Sequence, residues 1–184
     1  MSEMAVQVLV CVLVADFISG VGHWFEDTYG LPTWPLIGKS VIEPNIEHHR
    51  NPNWMVTMGS VIGRNYQLMG VASIVCCVAC VAGVLSWQAS LTAFLVGMSN
   101  EVHAWHHGAG RHPFVQLLRD MAIVQTPQHH AKHHQPPYDG RFCVLTNLVN
   151  PVLDRLRFWR VIEWLIGWLA GVHPKRMTAE RSFL

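Results

Sequence analysis

Three stretches of this sequence are apolar for long enough to cross a lipid bilayer, which requires about 20 such residues in a helix. The first runs from Met4 to about Gly22 and is interrupted only by Asp16, and the second covers 68–86 without a charged residue. The third begins near Ala89 and carries polar groups in its last turns. With 51% hydrophobic and only 14% charged residues, the composition favours a membrane protein over a soluble domain.

We therefore predict an all-α integral membrane protein with about three transmembrane helices, organised as one domain over residues 1–184. The predicted segments are a first transmembrane helix (1–24), a histidine-bearing loop (25–67), a transmembrane hairpin (68–107), a histidine-bearing segment with interfacial amphipathic helices (108–170) and a loose polar tail (171–184). Only Trp87 and Gln88 separate the two hairpin stretches, which predicts a tight turn at these residues. The first stretch lacks the basic start of a signal peptide, so we expect it to be retained.

Two later segments show apolar residues at helical spacing, and we expect both to lie in the membrane interface. Their apolar residues are Phe114, Leu117, Leu118, Met121 and Ala122 in the first segment, and Leu153, Leu156, Trp159, Val161, Trp164 and Trp168, less regularly, in the second.

The cationic residues predict which face of the membrane each segment meets. No Lys or Arg precedes Lys39 and none lies between Arg64 and Arg111, so all thirteen fall in the two segments that flank the hairpin. Because cytoplasmic loops collect Lys and Arg, we expect both flanking segments on the cytoplasmic face. The N-terminus and the hairpin tip then lie on the other side. This topology gathers the histidines at one face, with His23 where the first helix leaves the membrane.

The spacing of the histidines predicts metal ligands. His103 and His107 are four residues apart, so on a helix both imidazoles project from one face, whereas His106 points elsewhere. The His-x-x-His-His pattern within 130–134 presents three more imidazoles on one side of a short helix, and His129 is offset from them. Neutral imidazole binds iron, zinc, copper or nickel, so spacing leaves the metal open. The convergent candidates suffice for two metal ions and are His23, His48, His49, His103, His107, His130, His133 and His134.

A series of motifs extends this pattern over about residues 8–165. The motifs are Gly22 to Gly30, Pro35 to Gly38, Glu47 to Pro52, Asn100 to Trp105, and His129 to His134 with Phe142 and Cys143. In this order they resemble the plasmanylethanolamine desaturase family, also called the Kua or lipid desaturase domain family. His-x-x-His-His alone also occurs in other membrane di-iron enzymes, whereas the combination is specific.

This resemblance implies a non-haem di-iron oxidoreductase that uses O₂ to desaturate a membrane lipid. One branch of the family converts a plasmanyl ether lipid to a plasmalogen vinyl ether, which is the reaction we expect here, and a related branch desaturates an acyl chain of a phospholipid. The eight histidines would hold two iron ions, with no catalytic side chain beyond the ligands. Electrons would come from a small cytochrome b5 or ferredoxin type protein, because the sequence has no haem, flavin or iron–sulfur motif.

The resemblance also implies a multi-pass location with the histidines on the cytoplasmic face. The membrane would be the endoplasmic reticulum in a eukaryote or the cytoplasmic membrane in a bacterium, and no nucleic acid partner is expected.

Four carboxylates are candidates to support the metal ligands, because the second ring nitrogen of each imidazole needs a hydrogen-bond acceptor. Asp27, Glu47 and Glu101 are nearest to the histidines in sequence. Asp16 lies seven residues before His23 on the same helix face, and a carboxylate within a membrane is a functional candidate. A polar contact between helices is the alternative for Asp16.

A membrane zinc or copper carrier or store is the alternative from another class. Transporters usually place polar groups along the bilayer midplane, whereas 68–86 carries no charge and the histidines collect at one face. Cys77 and Cys80 form a C-x-x-C pair, but inside an apolar run we interpret them as structural thiols. A catalytically silent relative that anchors a partner is a further alternative. Bound iron with O₂-dependent lipid change would separate the three.

Overall fold

The computed structural model describes residues 2–57, 68–108 and 112–175. Within these ranges every regular element is helical, which confirms the predicted all-α class. Residues 58–67 of the predicted loop, residues 109–111 and residues 176–184 of the tail lie outside the described residues, and with them the cations Arg64, Arg111, Arg176 and Arg181. The elements are α1 (Glu3–Tyr29), a π-helical turn (Gly38–Ile42) leading into α2 (Glu43–Arg50), α3 (Trp54–Thr57), α4 (Leu68–Val81), α5 (Trp87–Gly97), α6 (Ser99–His106), α7 (Pro113–Asp120), α8 (Pro127–His130), α9 (Val149–Arg155) and α10 (Phe158–Ala170).

The first apolar stretch forms α1, whose 27 residues span about 40 Å. The Ser2 hydroxyl caps its start by accepting a hydrogen bond from the Ala5 amide. In the described part of the chain, α1 is the one helix long and apolar enough, by length and composition, to cross a membrane. Apolar side chains such as Val10, Val14 and Ile18 remain exposed along it. The protein itself therefore leaves much of the apolar surface of α1 uncovered.

The predicted hairpin is present, but its turn lies earlier in the chain than predicted. Gly83, which follows α4, has a φ of 75°, a conformation that favours glycine and ends the helix. The Ser86 hydroxyl then caps α5. Trp87 and Gln88, predicted as the turn, instead form the first turn of α5. The sequence did not predict this turn because most of its residues are apolar. Only Gly83 and the capping Ser86 are typical of a turn.

The helices α5 and α6 continue one another across a local change of geometry. The Met98 amide donates to the Phe94 carbonyl and the Val102 amide donates to the Met98 carbonyl, so the hydrogen-bond ladder is maintained. Residues 87–106 together span about 30 Å. The Gln88 side chain lies 3.5 Å from that of Gln7, which places the hairpin tip beside the N-terminal end of α1. The helix α5 therefore runs alongside α1 in the same direction.

The second predicted interfacial helix is divided into α9 and α10. Arg157, between them, has a left-handed conformation with a φ of 51°. This break turns Trp159 inward, where it is only 2% exposed and stacks on Trp24 of α1. Trp164 and Trp168 remain outside and stack on one another. The core that fixes the C-terminal end of α1 therefore consists largely of aromatic side chains.

Candidate metal centre

The structure brings all eight predicted histidines together at the C-terminal end of α1. They form two groups, and within each group one candidate ligand atom per residue lies within 4.8 Å of the others. We call the first group site A, which consists of His48, His103, His107, His130 and His134. We call the second group site B, which consists of His23, Asp27, His49 and His133.

Histidines that are adjacent in sequence belong to different sites, which the predicted grouping did not include. His130, His133 and His134 were predicted to share one side of a short helix, but α8 ends at His130 and a tighter turn follows. His134 joins His130 in site A, whereas His133 faces site B. Likewise, His48 contributes to site A and its neighbour His49 to site B. Consecutive helical residues point about 100° apart, so a His-His pair placed between two sites can serve both.

The nitrogen separations in site A suit ligands of one ion. The Nε2 atom of His130 lies 2.8 Å from that of His103 and 3.0 Å from that of His134. Its single lone pair lies in the ring plane and cannot accept well from both neighbours. Two nitrogens bound at about 2.1 Å to one ion and at right angles to each other would lie about 3 Å apart. A shared ion therefore accounts for both contacts.

Many of the buried ring nitrogens have no hydrogen-bond partner within the described residues. An unpaired buried polar atom is costly, so such a concentration requires a ligand. A metal ion in each site would bind one nitrogen of each imidazole, for example His107 Nε2 in site A and His23 Nε2 and His133 Nε2 in site B. Among the candidate ligands, the unpartnered nitrogens are His23 Nε2, both nitrogens of His48, His49 Nδ1, His107 Nε2, His130 Nδ1, His133 Nε2 and His134 Nδ1; His106 Nδ1, outside both sites, is unpartnered as well.

Burial keeps three imidazoles of site A neutral. Burial, with a contribution from the adjacent His134, holds the pKa of His48 well below its usual value. The pKa values of His130 and His134 are lowered in the same way, first by burial and then by neighbouring imidazoles. Since a neutral imidazole retains a lone pair for a metal, these side chains are prepared to be ligands at neutral pH.

Site B is organised around the Asp27 carboxylate. Its Oδ1 atom accepts a hydrogen bond of 2.6 Å from the Asn45 amide and lies 3.1 Å from His49 Nε2. Its Oδ2 atom lies 3.2 Å from His133 Nε2 and 3.7 Å from His23 Nε2. We predicted that Asp27 supports the ligands, and the structure places its oxygens among the candidate ligand atoms. Asn45 was missed, although its spacing of four residues from His49 puts both on one helix face.

Backbone carbonyls orient two of the site B imidazoles. His23 Nδ1 donates to the Phe142 carbonyl over 3.1 Å, and His133 Nδ1 donates to the Gly140 carbonyl over 2.9 Å. Each bond fixes the proton on Nδ1 and leaves the Nε2 lone pair facing Asp27, which is how proteins commonly orient metal-binding imidazoles. Sequence reasoning considered only carboxylates as acceptors and therefore missed these carbonyls.

Asp16 stabilises the segment that supplies one of these carbonyls. Its carboxylate accepts hydrogen bonds from the Leu145 amide (2.8 Å), the Thr146 amide (3.1 Å) and the Thr146 hydroxyl (2.5 Å). Asp16 thus contacts the segment 142–146 and not an imidazole directly. Gly20 allows the close approach, since a Cβ atom there would lie 2.5 Å from Cys143 Sγ.

The other predicted supporting carboxylates make different contacts. Glu47 pairs with Arg50 over 3.8 Å at a partly exposed position, and Glu101 accepts a hydrogen bond of 2.8 Å from Trp105 Nε1. His106 and His129, which the spacing excludes as ligands, lie outside both sites.

These two histidines bond to structural groups. His106 Nε2 donates to the buried Val144 carbonyl over 2.9 Å. His129 Nε2 lies 3.3 Å from Arg141 Nη1 and 3.4 Å from Asn150 Nδ2, so its lone pair faces two N–H donors and not a metal site. Burial, followed by the charge of Arg141, lowers the pKa of His129 to about 4, so it remains neutral as an acceptor.

A cavity adjoins both sites. Its lining includes His23 of site B and His48 and His103 of site A, and α1, α2 and α6 supply further polar groups. Trp54 and Met55 of α3 contribute apolar surface. The other polar lining residues are Ser19, Glu26, Asn45, Ser99 and Asn100.

Comparisons with known proteins agree with this picture. A family model described as the lipid desaturase domain matches residues 12–177. Plasmanylethanolamine desaturase 1 of Mus musculus is 29% identical and aligns with 91% of this chain and 66% of its own length. Plasmanylethanolamine desaturase of Myxococcus xanthus is 31% identical, with 92% and 62% covered. Fatty acid desaturase 4, chloroplastic, of Arabidopsis thaliana is 30% identical, with 92% and 54% covered.

This chain therefore spans between 54% and 66% of the length of these relatives. No solved structure matches it significantly.

Proposed function

Because this chain belongs to the lipid desaturase domain family, we propose that it is a membrane enzyme that uses two iron ions and O₂ to insert a double bond into a phospholipid chain. The family resemblance expected from the histidine motifs is confirmed. The observation that supports the di-iron proposal most directly is the pair of adjoining ligand groups, site A and site B.

Iron fits both donor sets. Site A offers imidazoles alone, and site B adds the Asp27 carboxylate to three imidazoles. Mixed imidazole and carboxylate ligation suits iron, whereas the thiolates that soft metals prefer are absent from both groups. When bound, the metal pair would supply the O₂ chemistry that removes hydrogen from an unactivated methylene, which no side-chain base can do at neutral pH. The balanced reaction is –CH₂–CH₂– + O₂ + 2 H⁺ + 2 e⁻ → –CH=CH– + 2 H₂O.

The chain's own residues would position the lipid and exclude water. The cavity beside the sites carries polar side chains, such as Ser19 and Asn100, within reach of the imidazoles. We favour a plasmanyl ether lipid as the substrate because two of the similar proteins are plasmanylethanolamine desaturases.

Two alternatives remain. An acyl phospholipid desaturase is supported by the similarity to fatty acid desaturase 4. The zinc or copper carrier is disfavoured by burial, since His48, His130 and His133 are at most 2% exposed. Ligands that are this deeply buried suit an ion that stays bound as a cofactor and not an ion that is transported.

We also propose that three segments cross the membrane, with the metal sites on the cytoplasmic face of the endoplasmic reticulum or of a bacterial cytoplasmic membrane. The hairpin tip lies beside the start of α1, and the metal sites lie at its other end. The exposed apolar side chains of α1 and α4 suit a lipid environment. The domain would then comprise residues 1–184, with the segments predicted from the sequence.

Topology can be tested by side-specific labelling. Lys39, Lys132 and Lys175 should react from the same side in sealed vesicles, and a tag before Met4 should react only from the other side. All three lysines are exposed, and the Lys175 amide donates to the Thr28 carbonyl at the end of α1. Labelling of Lys39 and Lys132 from opposite sides would contradict a shared metal centre.

The proposed activity predicts both a product and a metal content. Protein purified in detergent from iron-replete cells should hold about two irons per chain, with imidazole-rich and thiolate-free X-ray absorption spectra. Supplied with a plasmanyl lipid, O₂ and a reductant, it should yield a lipid two hydrogens lighter by mass spectrometry.

Product from a diacyl phospholipid alone would select the acyl alternative. Stoichiometric zinc without iron-dependent product would favour the carrier.

A further inference from the structure

A second cavity shares no lining residue with the cavity that adjoins the two metal sites. We call it the basic groove, a depression of about 500 Å³ between the loop 132–141 and the helices α9 and α10. Its lining residues are Lys132, Gln135, Pro136, Pro137, Asp139, Gly140, Arg141, Asp154, Arg157, Trp159 and Arg160.

The groove has an excess of positive charge. Of its four cations, Arg160 pairs with Asp139 and Arg141 lies 3.8 Å from Asp154. Lys132 and Arg157 are exposed, and neither forms an ion pair with a carboxylate of the described residues. Two exposed cations of the groove are therefore available to an acidic partner.

One wall of the groove bonds directly to a candidate metal ligand. Gly140 lines the groove, and its carbonyl accepts the 2.9 Å hydrogen bond from His133 Nδ1. His133 Nε2 in turn faces site B. A redox group held over the groove would thus be separated from site B by one backbone segment, one hydrogen bond and one imidazole.

We propose that the basic groove is the docking site of an acidic, one-electron-carrying protein that supplies the reductant for desaturation. This inference rests on the proposed function, because the desaturation reaction consumes two electrons per double bond and a separate donor must supply them. A one-electron carrier would therefore dock twice per turnover, and its oxidised form would leave each time. Electrostatic complementarity chiefly raises the rate of encounter between charged partners.

A lipid headgroup fits the groove less well. Among its lining residues, only Pro136, Pro137 and the deeply buried Trp159 are apolar, so the groove offers no channel for acyl chains. The lipid must also reach the other cavity, whose walls include imidazoles of both sites.

The test compares charge reversal inside and outside the groove. Arg157→Glu removes an exposed groove cation, and Lys39→Glu removes an exposed cation that does not line the groove. The iron-loaded full chain, reconstituted in lipid nanodiscs, is supplied with reduced plant-type ferredoxin or with the soluble haem domain of cytochrome b5. With whichever donor supports turnover by the unmodified protein, KM for the donor should rise by about tenfold in Arg157→Glu at low salt, with little change in kcat.

High salt should reduce this difference, and Lys39→Glu should stay within about twofold of the unmodified protein. Arg157→Lys should restore most of the donor affinity. A single turnover of dithionite-reduced protein should give equal product in all variants, because it bypasses docking.

Three results would overturn the inference. Equal donor KM values for Arg157→Glu and Lys39→Glu would show that the groove does not bind the donor. A raised KM for lipid with an unchanged KM for the donor would assign the groove to a headgroup. No product from the dithionite-reduced unmodified protein would refute the proposed function itself, and with it the basis of this inference.

Discussion

Replacing any one of the eight candidate ligand histidines by alanine should reduce desaturation to about 1% or less of the unmodified rate and lower the bound iron from about two to about one per chain. Each imidazole lies in a buried group whose nitrogens have few other partners. Alanine supplies no donor atom and supporting groups cannot replace the imidazole, so a missing imidazole displaces or releases an ion. Product and iron are measured per unit of folded protein.

The other four histidines are matched controls. His112 caps α7 by accepting a hydrogen bond from the Phe114 amide, and His173 is exposed after α10. Neither has ligand spacing in the sequence, so alanine at either position should leave most activity. His106→Ala leaves the buried Val144 carbonyl without its donor, which should cost about 1–3 kcal/mol of stability and some activity. His129→Ala should behave similarly.

Two outcomes would contradict the ligand assignment. Near-normal activity in His103→Ala would show that His103 is not a metal ligand of site A. The same result in His133→Ala would exclude His133 as a ligand of site B. Loss in His173→Ala as complete as in His133→Ala would show that helical spacing does not distinguish ligands from other histidines.

Sequence spacing could predict two pairs within the histidine set because the i, i+4 relation is local. His103 and His107 meet in site A, and so do His130 and His134. The assignment of adjacent histidines to different sites could not be predicted, because it depends on where α2 and the turn after α8 lie relative to α1. The same limit applies to Asp27, whose position among three imidazoles from distant segments no local pattern specifies.

Helix ends were predicted less well than helices. The break at Arg157 depends on packing of Trp159 against α1, which is a long-range contact. Asp16 was predicted to support the ligands or, alternatively, to make a polar contact between helices, whereas its partners Leu145 and Thr146 lie in a non-helical segment about 130 residues away in sequence. Composition predicted apolar helices correctly, whereas capping and tertiary contacts determined where they stop.

Asp27→Asn should remove the iron of site B and abolish desaturation while site A keeps its own ion. The substitution preserves the shape of the side chain and the position beside Asn45, but it removes the negative charge that faces His23, His49 and His133. An amide is a weaker ligand than a carboxylate for iron, and the uncharged site holds a divalent cation less strongly. We expect about one iron per chain and activity at least about 100-fold lower.

The matched control is Glu47→Gln, which makes the same chemical change at a partly exposed carboxylate whose ion-pair partner is Arg50. It should retain two irons and near-normal activity. Melting temperatures of the iron-free proteins separate a metal effect from a folding effect, because site B carries no ion in that comparison. Suppose that the iron-free Asp27→Asn protein and the iron-free unmodified protein have the same melting temperature. If the variant then still binds two irons and turns over normally, Asp27 is not a metal ligand. Loss of one iron at an unchanged iron-free melting temperature would assign its carboxylate to the metal.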